Sequence, residues 1–247
     1  MKVLFTVVLL SLVGVVYADN EIDTKVGAAL ADESRPAKDR LRDENRLPLE
    51  TLKFFGLKDD MRVLELIPGG GWYTRILAPV LAENGQLYVA LRSSTVIEKV
   101  LPLPGFEQVE ALATSDNLHR SEDSHEYVIE DFDFGVADLD LVVTFRNLHN
   151  FNADVRQKVN QQVFAALRSG GHYGVIDHTA RHMEPPNGEN ERRVDPVMVI
   201  KEMLDAGFEF EAYSDLHYRA DDELEYEVGR RSVSGNTDRF TLLFRKP

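Results

Sequence analysis

The 247-residue sequence contains no cysteine. This absence excludes disulfide bonds, thiolate metal sites and a cysteine nucleophile. The Gly-x-Ser-x-Gly motif of the hydrolase nucleophile elbow is also missing, as are internal repeats and low-complexity segments. Beyond the N-terminus no apolar run reaches the roughly 20 residues that a spanning helix needs. What remains is the length and composition of one α/β domain.

Positive charge is scarce. The chain has 28 lysines and arginines against 42 aspartates and glutamates, which gives a formal net charge of −14 at pH 7. A surface of this sign repels phosphate backbones. We therefore expect a small-molecule partner and no nucleic acid. The sequence carries no signal for a particular oligomeric state.

The N-terminus has the pattern of an export signal. Lys2 precedes an apolar run over residues 3–16, and Ala18 provides a small residue before Asp19. A basic start, an apolar core and a small-residue exit are typical of a cleaved secretory signal. The alternative, a retained anchor, needs about 20 apolar residues. We predict a signal peptide over residues 1–18 and an exported protein, periplasmic or secreted, without stable membrane insertion.

The mature chain is predicted to have an N-terminal appendage and one main domain. Residues 19–45 are densely charged and are broken near Pro36. They are expected to form a solvated arm or short helices packed on the domain edge. The main domain is expected to cover residues 46–247, beginning with a helix that ends at Gly56.

Hydrophobic patterns in the main domain alternate between strand and helix. Predicted helices cover residues 72–83, with Pro79 as a kink or break, residues 154–167, and a segment between the cap Asp195 and Gly207. The predicted strands are 61–67, 86–91, 109–113, 139–145, 172–177, 208–213 and 237–245. This alternation favours an α/β fold with parallel pairing, closed by an antiparallel pair.

The segment from Glu65 to Tyr73, ELIPGGGWY, lies where the first strand leads into a helix. Glycines at such a turn let backbone N–H groups approach a ligand, and the helix N-terminus is electropositive. With residues 144–150 (TFRNLHN), 170–178 (GGHYGVIDH), 193–195 (RVD) and 237–240 (TDRF), this turn resembles class I S-adenosylmethionine (SAM) methyltransferases. More closely, it resembles a set of exported bacterial predicted methyltransferases.

The resemblance implies a Rossmann-like seven-stranded sheet, mostly parallel with an antiparallel last strand and helices on both faces. It also implies SAM as cofactor and an unidentified small-molecule methyl acceptor. The cofactor-binding positions that it implies follow the first, second, third and fourth strands in turn: Glu65, Gly69, Gly70, Gly71, Tyr73, Arg92, Asp116, Arg146 and Asn147.

Two positions depart from the family pattern. Ile67 stands where the turn normally has its first glycine, so the turn is expected to be stiffer and bulkier. Arg92 stands where an acidic residue normally accepts hydrogen bonds from the ribose, and a guanidinium cannot accept them. Ribose recognition therefore needs another acceptor, or the site takes another ligand. The alternative function is a non-catalytic or repurposed exported binding protein that kept the fold.

Two histidines at the carboxyl ends of predicted strands are candidates for chemistry. His149 is the first candidate base and His178 is the second, and the resemblance implies that the residues from Arg146 to Asn150 face the methyl group, with Asn150 as a further candidate for catalysis. A histidine titrates near neutral pH, although either could simply bond to loop backbone. With Asp177 the two histidines could also bind a metal, but no tight ligand spacing supports that alternative and no metal is predicted. Tyr173 and an Arg193–Asp195 pair are expected to shape the acceptor pocket or to lie on the surface.

Overall fold

A computed structural model of the chain describes residues 12–121, 127–185 and 187–247, with the backbone alone over residues 12–20. The strands are β1 (Arg62–Leu66), β2 (Gln86–Ala90), β3 (Glu110–Ala111), β4 (Leu118–Arg120), β5 (Tyr127–Ile129), β6 (Leu139–Phe145), β7 (Leu167–His178), β8 (Glu209–Ser214) and β9 (Arg239–Arg245). The α-helices are α1 (Leu12–Ala31), α2 (Ala37–Arg40), α3 (Asp43–Arg46), α4 (Pro48–Phe54), α5 (Thr74–Leu81), α6 (Ser94–Lys99), α7 (Ala153–Ala166) and α8 (Pro196–Asp205).

Seven of these strands form one sheet in the order β3, β2, β1, β6, β7, β9, β8. The first five in this order run parallel, and β9 runs antiparallel to both β7 and β8. β4 and β5 form a separate antiparallel hairpin. The predicted seven-stranded, mostly parallel sheet with an antiparallel last strand is confirmed.

The sheet is covered by helices on both faces. Along β1, Val63 points into one hydrophobic core, and Leu64 and Leu66 point into the other. The first core is shared with α1, α4 and α5, and the second with α7 and α8. Burial on both faces explains why the strand sequences are almost continuously apolar instead of alternating.

The segment before the main domain is packed and not a solvated arm. Val26 of α1 is fully buried, and Ile22 and Ala29 lie beside it in the core shared with α5. Lys25 Nζ lies 2.6 Å from Asp59 Oδ2 and so ties α1 to the turn before β1. Residues 1–11 of the predicted signal peptide lie outside the described residues. Its remaining residues, 12–18, belong to α1. Within the described ranges, no helix combines the length and apolarity needed to cross a membrane.

Several boundaries differ from the predicted ones. The patterns do not predict α6 or the β4–β5 hairpin, because both are short and neither has a clear period. β7 begins at Leu167, five residues before the predicted strand, and its pairing with β6 shifts register between Leu139 and Leu141. Pro79 lies inside α5 on its exposed side, where the carbonyl group that loses its helical partner can contact water.

A buried ion pair connects the loop after β7 to the long connection before β9. Arg193 forms two contacts of 2.9 Å with the Asp222 carboxylate, and both side chains are only 1% exposed. Arg193 also donates to the carbonyl oxygens of Tyr226 and Thr179. Asp222 accepts a further bond from the Asp238 N–H at 2.6 Å. The pair therefore fixes the chain that enters the last strand.

The predicted cap is confirmed, because Asp195 accepts from the Val197 N–H at the start of α8. The expected Arg193–Asp195 ion pair is wrong, because Asp195 contacts His182 Nδ1 at 2.8 Å and Arg193 pairs with Asp222. Tyr173 is also not a pocket residue, because its side chain is completely buried in the core against Phe208. Sequence proximity suggested the pair, whereas the chain connection that brings Asp222 to Arg193 is long-range.

Removing the arginine should leave a buried, unpaired carboxylate. We expect Arg193→Ala to lower the free energy of unfolding by about 3–5 kcal/mol. The adjacent Arg192 pairs with Glu227 at the surface, so Arg192→Ala should cost below about 1 kcal/mol. Urea denaturation of both variants measures the difference. Equal losses of unfolding free energy in the two variants would show that the buried pair contributes no more to stability than the surface pair.

Candidate active site

The strands β1, β2 and β6 end at the same edge of the sheet, and each is followed by a left-handed residue. Ile67 has a φ of 53°, Leu91 and Arg92 have 59° and 47°, and Arg146 has 63°. This conformation costs a residue with a side chain roughly 1–2 kcal/mol, and it is rarest for a β-branched residue such as isoleucine. Strain of this kind is concentrated at functional sites. The family's first glycine position thus keeps a left-handed backbone although isoleucine occupies it.

A cavity of about 570 Å³ opens at the turn after β1, and we call it the glycine-turn cavity. A side chain added at Gly69 or Gly70 would meet no atom within 4 Å, so both positions border open space. A Cβ at Gly71 would lie 2.8 Å from Val100 instead, so this glycine allows close packing of α6. Residues that line the cavity are Pro36, Lys38, Asp39, Arg42, Arg46, Glu65, Ile67, Pro68, Gly69, Gly70, Trp72, Tyr73, Arg75, Thr95, Lys99, Phe145, Arg146 and Asn147.

Glu65 lies at the base of this cavity, at the end of β1. Burial raises the pKa of its carboxyl to about 8 and outweighs the hydrogen bond from Thr74 and the charge of Arg46, which both lower it. Thr74 Oγ1 donates to Glu65 Oε2 at 2.6 Å. Glu65 therefore holds a proton at neutral pH until a cation arrives beside it.

Aromatic rings form one wall of the cavity. Tyr73 stacks on Phe145 with ring centroids 3.4 Å apart, and Trp72 packs edge-on against Tyr73. The Trp72 indole N–H donates to the Asp39 carbonyl oxygen, which anchors α2 over the site. The guanidinium of Arg46 lies 4.3 Å from the centre of the Trp72 ring. The wall is therefore aromatic and cationic, not simply apolar.

Arg92 and Asp116 lie together in a smaller cavity of about 240 Å³ beyond the end of β2. Arg92 is placed over the ring of Tyr127, 4.9 Å from its centre, and does not line the glycine-turn cavity. Asp116 contributes a carboxylate to this cavity, and the buried Ser115 hydroxyl beside it has no hydrogen-bond partner among the described residues. Thr95 lines both cavities. An acceptor for a ribose is thus available at Asp116, one strand away from the usual position.

His149 and His178 are brought together by Asp177. His149 Nδ1 lies 2.5 Å from Asp177 Oδ1, and the N–H of His178 donates to the same oxygen at 2.7 Å. Burial acts to raise the pKa of Asp177, but the interaction with His149 and the hydrogen bond from the His178 backbone N–H hold it below its usual range. An ionised Asp177 has no proton to give, so the Nδ1 of His149 is the donor in this hydrogen bond.

His178, and not His149, reaches a ligand cavity. It lines a space of about 370 Å³, which we call the arginine cavity. Its Nδ1 lies 2.9 Å from the Thr237 hydroxyl. Burial, and then the nearby His149 and Arg146, lower its pKa to about 3 against the opposing effect of Asp177. The imidazole is therefore neutral. The arginine cavity is lined by Leu41, Arg42, Asn45, Arg46, Arg146, His178, Arg192, Val228, Gly229, Ser234, Gly235, Thr237 and Arg239.

The two asparagines of the loop after β6 brace that loop. Asn147 donates to the Leu66 carbonyl and the Thr144 hydroxyl while it lines the glycine-turn cavity. Asn150 donates to the Asn147 carbonyl and lines none of the three cavities described above. The structure therefore brings Asn147 and Arg146 to the site and leaves Asn150 and His149 behind it.

Arg42, Arg46 and Arg239 are site residues that the sequence reasoning does not identify. Arg42 belongs to the charged N-terminal segment, which looks like a solvated surface in the sequence, and Arg46 directly follows this segment. Arg239 belongs to the TDRF segment, which was singled out only for its resemblance. The sequence does show arginines near both ends of the domain. No local pattern indicates that these side chains face one cavity.

The residues fit a bound SAM at its amino-acid end. Gly69 and Gly70 border open space, the buried Glu65 can ionise beside an ammonium group, and Arg75 has a buried Nε without a partner. The volume is typical of small-molecule sites, which span about 300–1,000 Å³. Over the described residues, no three histidine, aspartate or glutamate side chains are grouped so as to hold a metal ion.

Comparison with solved structures agrees with this geometry. A SAM-dependent methyltransferase from Aquifex aeolicus superimposes with a TM-score of 0.56 at 20% identity, over 90% of this chain and 96% of that one. The chain has the class I SAM-dependent methyltransferase fold. The glycopeptide N-methyltransferase MtfA, complexed with S-adenosyl-L-homocysteine (SAH), gives 0.53 at 14% identity, over 83% and 90%. The [4+2]-cyclase SpnF gives 0.55 at 15% identity, over 95% of both chains. No family model and no curated protein sequence matches the chain.

Protonation of Glu65 should make the stability of the protein fall as pH rises. In the unfolded chain a glutamate has a pKa near 4.3, so between about pH 4.5 and 8 the folded state holds a proton that the unfolded state has lost. Glu65→Gln removes this difference. Relative to the wild type, its free energy of unfolding should increase from pH 5 to pH 8, by on the order of 3 kcal/mol.

Denaturant unfolding at pH 5, 6.5 and 8 measures this trend. Glu50→Gln, at an exposed position of α4, is the matched control and should show no such trend. A flat difference between Glu65→Gln and the wild type across this range would contradict the raised pKa.

Proposed function

We propose that the protein is a SAM-dependent methyltransferase that acts on a small molecule. The observation that supports this most directly is the pairing of two cavities. The glycine-turn cavity and the arginine cavity share Arg42, Arg46 and Arg146 in their linings, so a cofactor and an acceptor can be held side by side. When bound, SAM supplies an electrophilic methyl group on a positively charged sulfur.

The protein's own groups have separable roles in this proposal. Gly69 and Gly70 leave room for the amino-acid part of the cofactor, and Glu65 accepts a hydrogen bond from its ammonium group once the carboxyl ionises. Asp116 is the acceptor for the ribose, replacing the carboxylate that Arg92 displaces. These assignments use the fold and the residues of this chain together, because likeness at 13–20% identity establishes the fold alone.

His178 is the histidine that we assign to the acceptor, with His149 and Asp177 as positioning residues. Asp177 holds the N–H of His178 and the ring of His149, and the two ring centroids lie 5.4 Å apart. A neutral imidazole can accept a proton or a hydrogen bond from an acceptor in the arginine cavity. Thr237 fixes the orientation of that ring.

Cofactor binding is the first test. Gly70→Leu should abolish binding of SAM and SAH without loss of stability, because the added side chain enters open space in the glycine-turn cavity. Isothermal titration calorimetry of the purified protein measures the affinity, and we expect a micromolar Kd for the wild type. Gly27→Leu, at an exposed position of α1 with equally open surroundings, is the matched control and should bind normally.

The absence of cofactor binding would decide against the proposed function. A folded wild-type protein that binds neither SAM nor SAH would refute the methyltransferase proposal. The alternative, an exported binding protein that uses the same fold for another ligand, would then replace it.

We also propose that the protein acts outside the cytoplasm. The export signal predicts cleavage after Ala18, which leaves the described and buried part of α1, from Ile22 onward, in the mature protein. Expression in a bacterium followed by intact mass measurement of the periplasmic fraction and the medium should find a chain that begins at Asp19. Substituting Ala18→Arg should block processing. A full-length chain confined to the cytoplasm would contradict export.

A further inference from the structure

We propose that the acceptor of this methyltransferase carries an oxyanion, a carboxylate or a phosphate, which is bound by an arginine cluster of Arg42, Arg46, Arg146 and Arg239. The term acceptor rests on the proposed function, whereas the anion site rests only on the cavity and its charges. All four arginines line the arginine cavity, and three of them also line the glycine-turn cavity.

The described residues place no carboxylate in ion-pair contact with the cluster, although the more distant Asp177 and Asp238 act to raise the pKa of Arg146 and of Arg239. Over the described part of the chain, no carboxylate lines the arginine cavity, and none of the four side chains forms an ion pair. Arg239 donates to the backbone carbonyls of Thr237 and Asn45. Arg46 is only 5% exposed, and its buried Nε has no hydrogen-bond partner. Buried cations are normally paired with an anion. The arginine cluster therefore has the composition of an anion-binding site.

Burial and mutual repulsion disfavour the charged forms of the clustered arginines. Burial, and then the neighbouring charge of Arg146, lower the pKa of Arg46 to about 9 and that of Arg239 to about 10. Burial and Arg42 lower the pKa of Arg146 as well. In a protein of net charge −14 with many carboxylates available, such a cluster is not explained by stability. Burial keeps Arg46, Arg146 and Arg239 apart from the acidic surface, whereas Arg42 is exposed at the edge of the cavity.

Packing directs the guanidinium groups into the cavity. Arg46 lies over the Trp72 ring, and its own carbonyl accepts from the buried His217 at 3.0 Å, which fixes the end of α3. Arg146 takes a left-handed backbone at the end of β6, which projects it between the two cavities. Guanidinium forks bind carboxylates and phosphates by paired hydrogen bonds.

The size of the site selects a small molecule. A volume of about 370 Å³ accommodates a compact organic anion. A polyanion would have to approach through the surrounding acidic surface, which repels it. The carboxylate of the cofactor could neutralise one or two arginines, but the arginine cavity would retain the rest. The neutral His178 at its wall suits an acceptor that arrives already ionised and needs little help in losing a proton.

The test measures anion binding and cofactor binding separately. Calorimetric titrations of SAH-saturated and SAH-free protein use phenyl phosphate, benzoate and the neutral isostere benzamide. We expect both anions to bind at least about tenfold more tightly than benzamide, with affinity falling as salt rises. The tighter of the two anions identifies the phosphate or the carboxylate as the preferred group. Fluorescence of Trp72, the single tryptophan, provides a local readout because Arg46 lies against its ring.

Variants separate a binding role from a structural one. Arg46→Gln should weaken anion binding at least about tenfold. Arg42→Gln, at an exposed position that tolerates substitution, should weaken it about threefold or more and also raise Tm by about 1–2 °C, because one repelling charge is removed. The control Arg168→Gln removes the same charge at the opposite end of β7, where Arg168 pairs with Asp140, and should leave anion affinity unchanged.

Four outcomes decide the proposal. Benzamide binding as tightly as benzoate, or anion affinity unchanged in Arg42→Gln and Arg46→Gln, would overturn it even if SAH binds normally. Arg42→Gln that lowers Tm while retaining anion affinity would also overturn it, because the arginine would then be structural. Phenyl phosphate binding that depends on the cluster, in a protein that does not bind SAH, would retain the anion site and refute the methyltransferase proposal alone.

Discussion

Parallel pairing brings the ends of β1, β2 and β6 to one edge of the sheet, and the chain must turn sharply after each of them. Left-handed residues make these turns, at Ile67, at Leu91 and Arg92, and at Arg146. The strain is tolerated because the strands are buried on both faces and their register is held by long ladders. Of the groups that we assign to a ligand, Gly69, Gly70 and Arg146 lie on these turns. The site therefore depends on the rigidity of the sheet beneath it.

Electrostatics gives the site a character opposite to that of the whole molecule. The chain is strongly acidic, yet most of the charged residues that line its two central cavities are arginines and lysines. Helices α2 and α3 supply part of this charge from the N-terminal segment, and Arg239 supplies part from the last strand. A local potential can therefore attract an anion that the average surface repels, which favours small ligands over polymers. Burial strengthens these interactions because water screens them less.

His149 and His178 have different positions and roles around Asp177. Asp177 is completely buried and binds both His149 and the backbone of His178, so it orders two loops at the end of β6 and β7. His178 faces the arginine cavity, where a neutral ring is favoured by the surrounding positive charge. His149 stays behind it and keeps Asp177 ionised. Asp177 thus supports the loop geometry, whereas burial and the nearby positive charges keep His178 neutral against the effect of that carboxylate.

The sequence alone determined the α/β class, the positions of the main strands and the glycine turn, because hydrophobic period and turn residues are local properties. It also identified Glu65, Gly70, Arg146 and His178 as candidates, through motifs that follow strand ends. Only the tertiary structure decided which of them share a cavity, that Gly71 packs against Val100, and that Arg193 pairs with Asp222. Only the tertiary structure showed that the charged N-terminal segment packs against the domain. Charge partners and burial depend on contacts between residues far apart in the chain, and no local pattern encodes them.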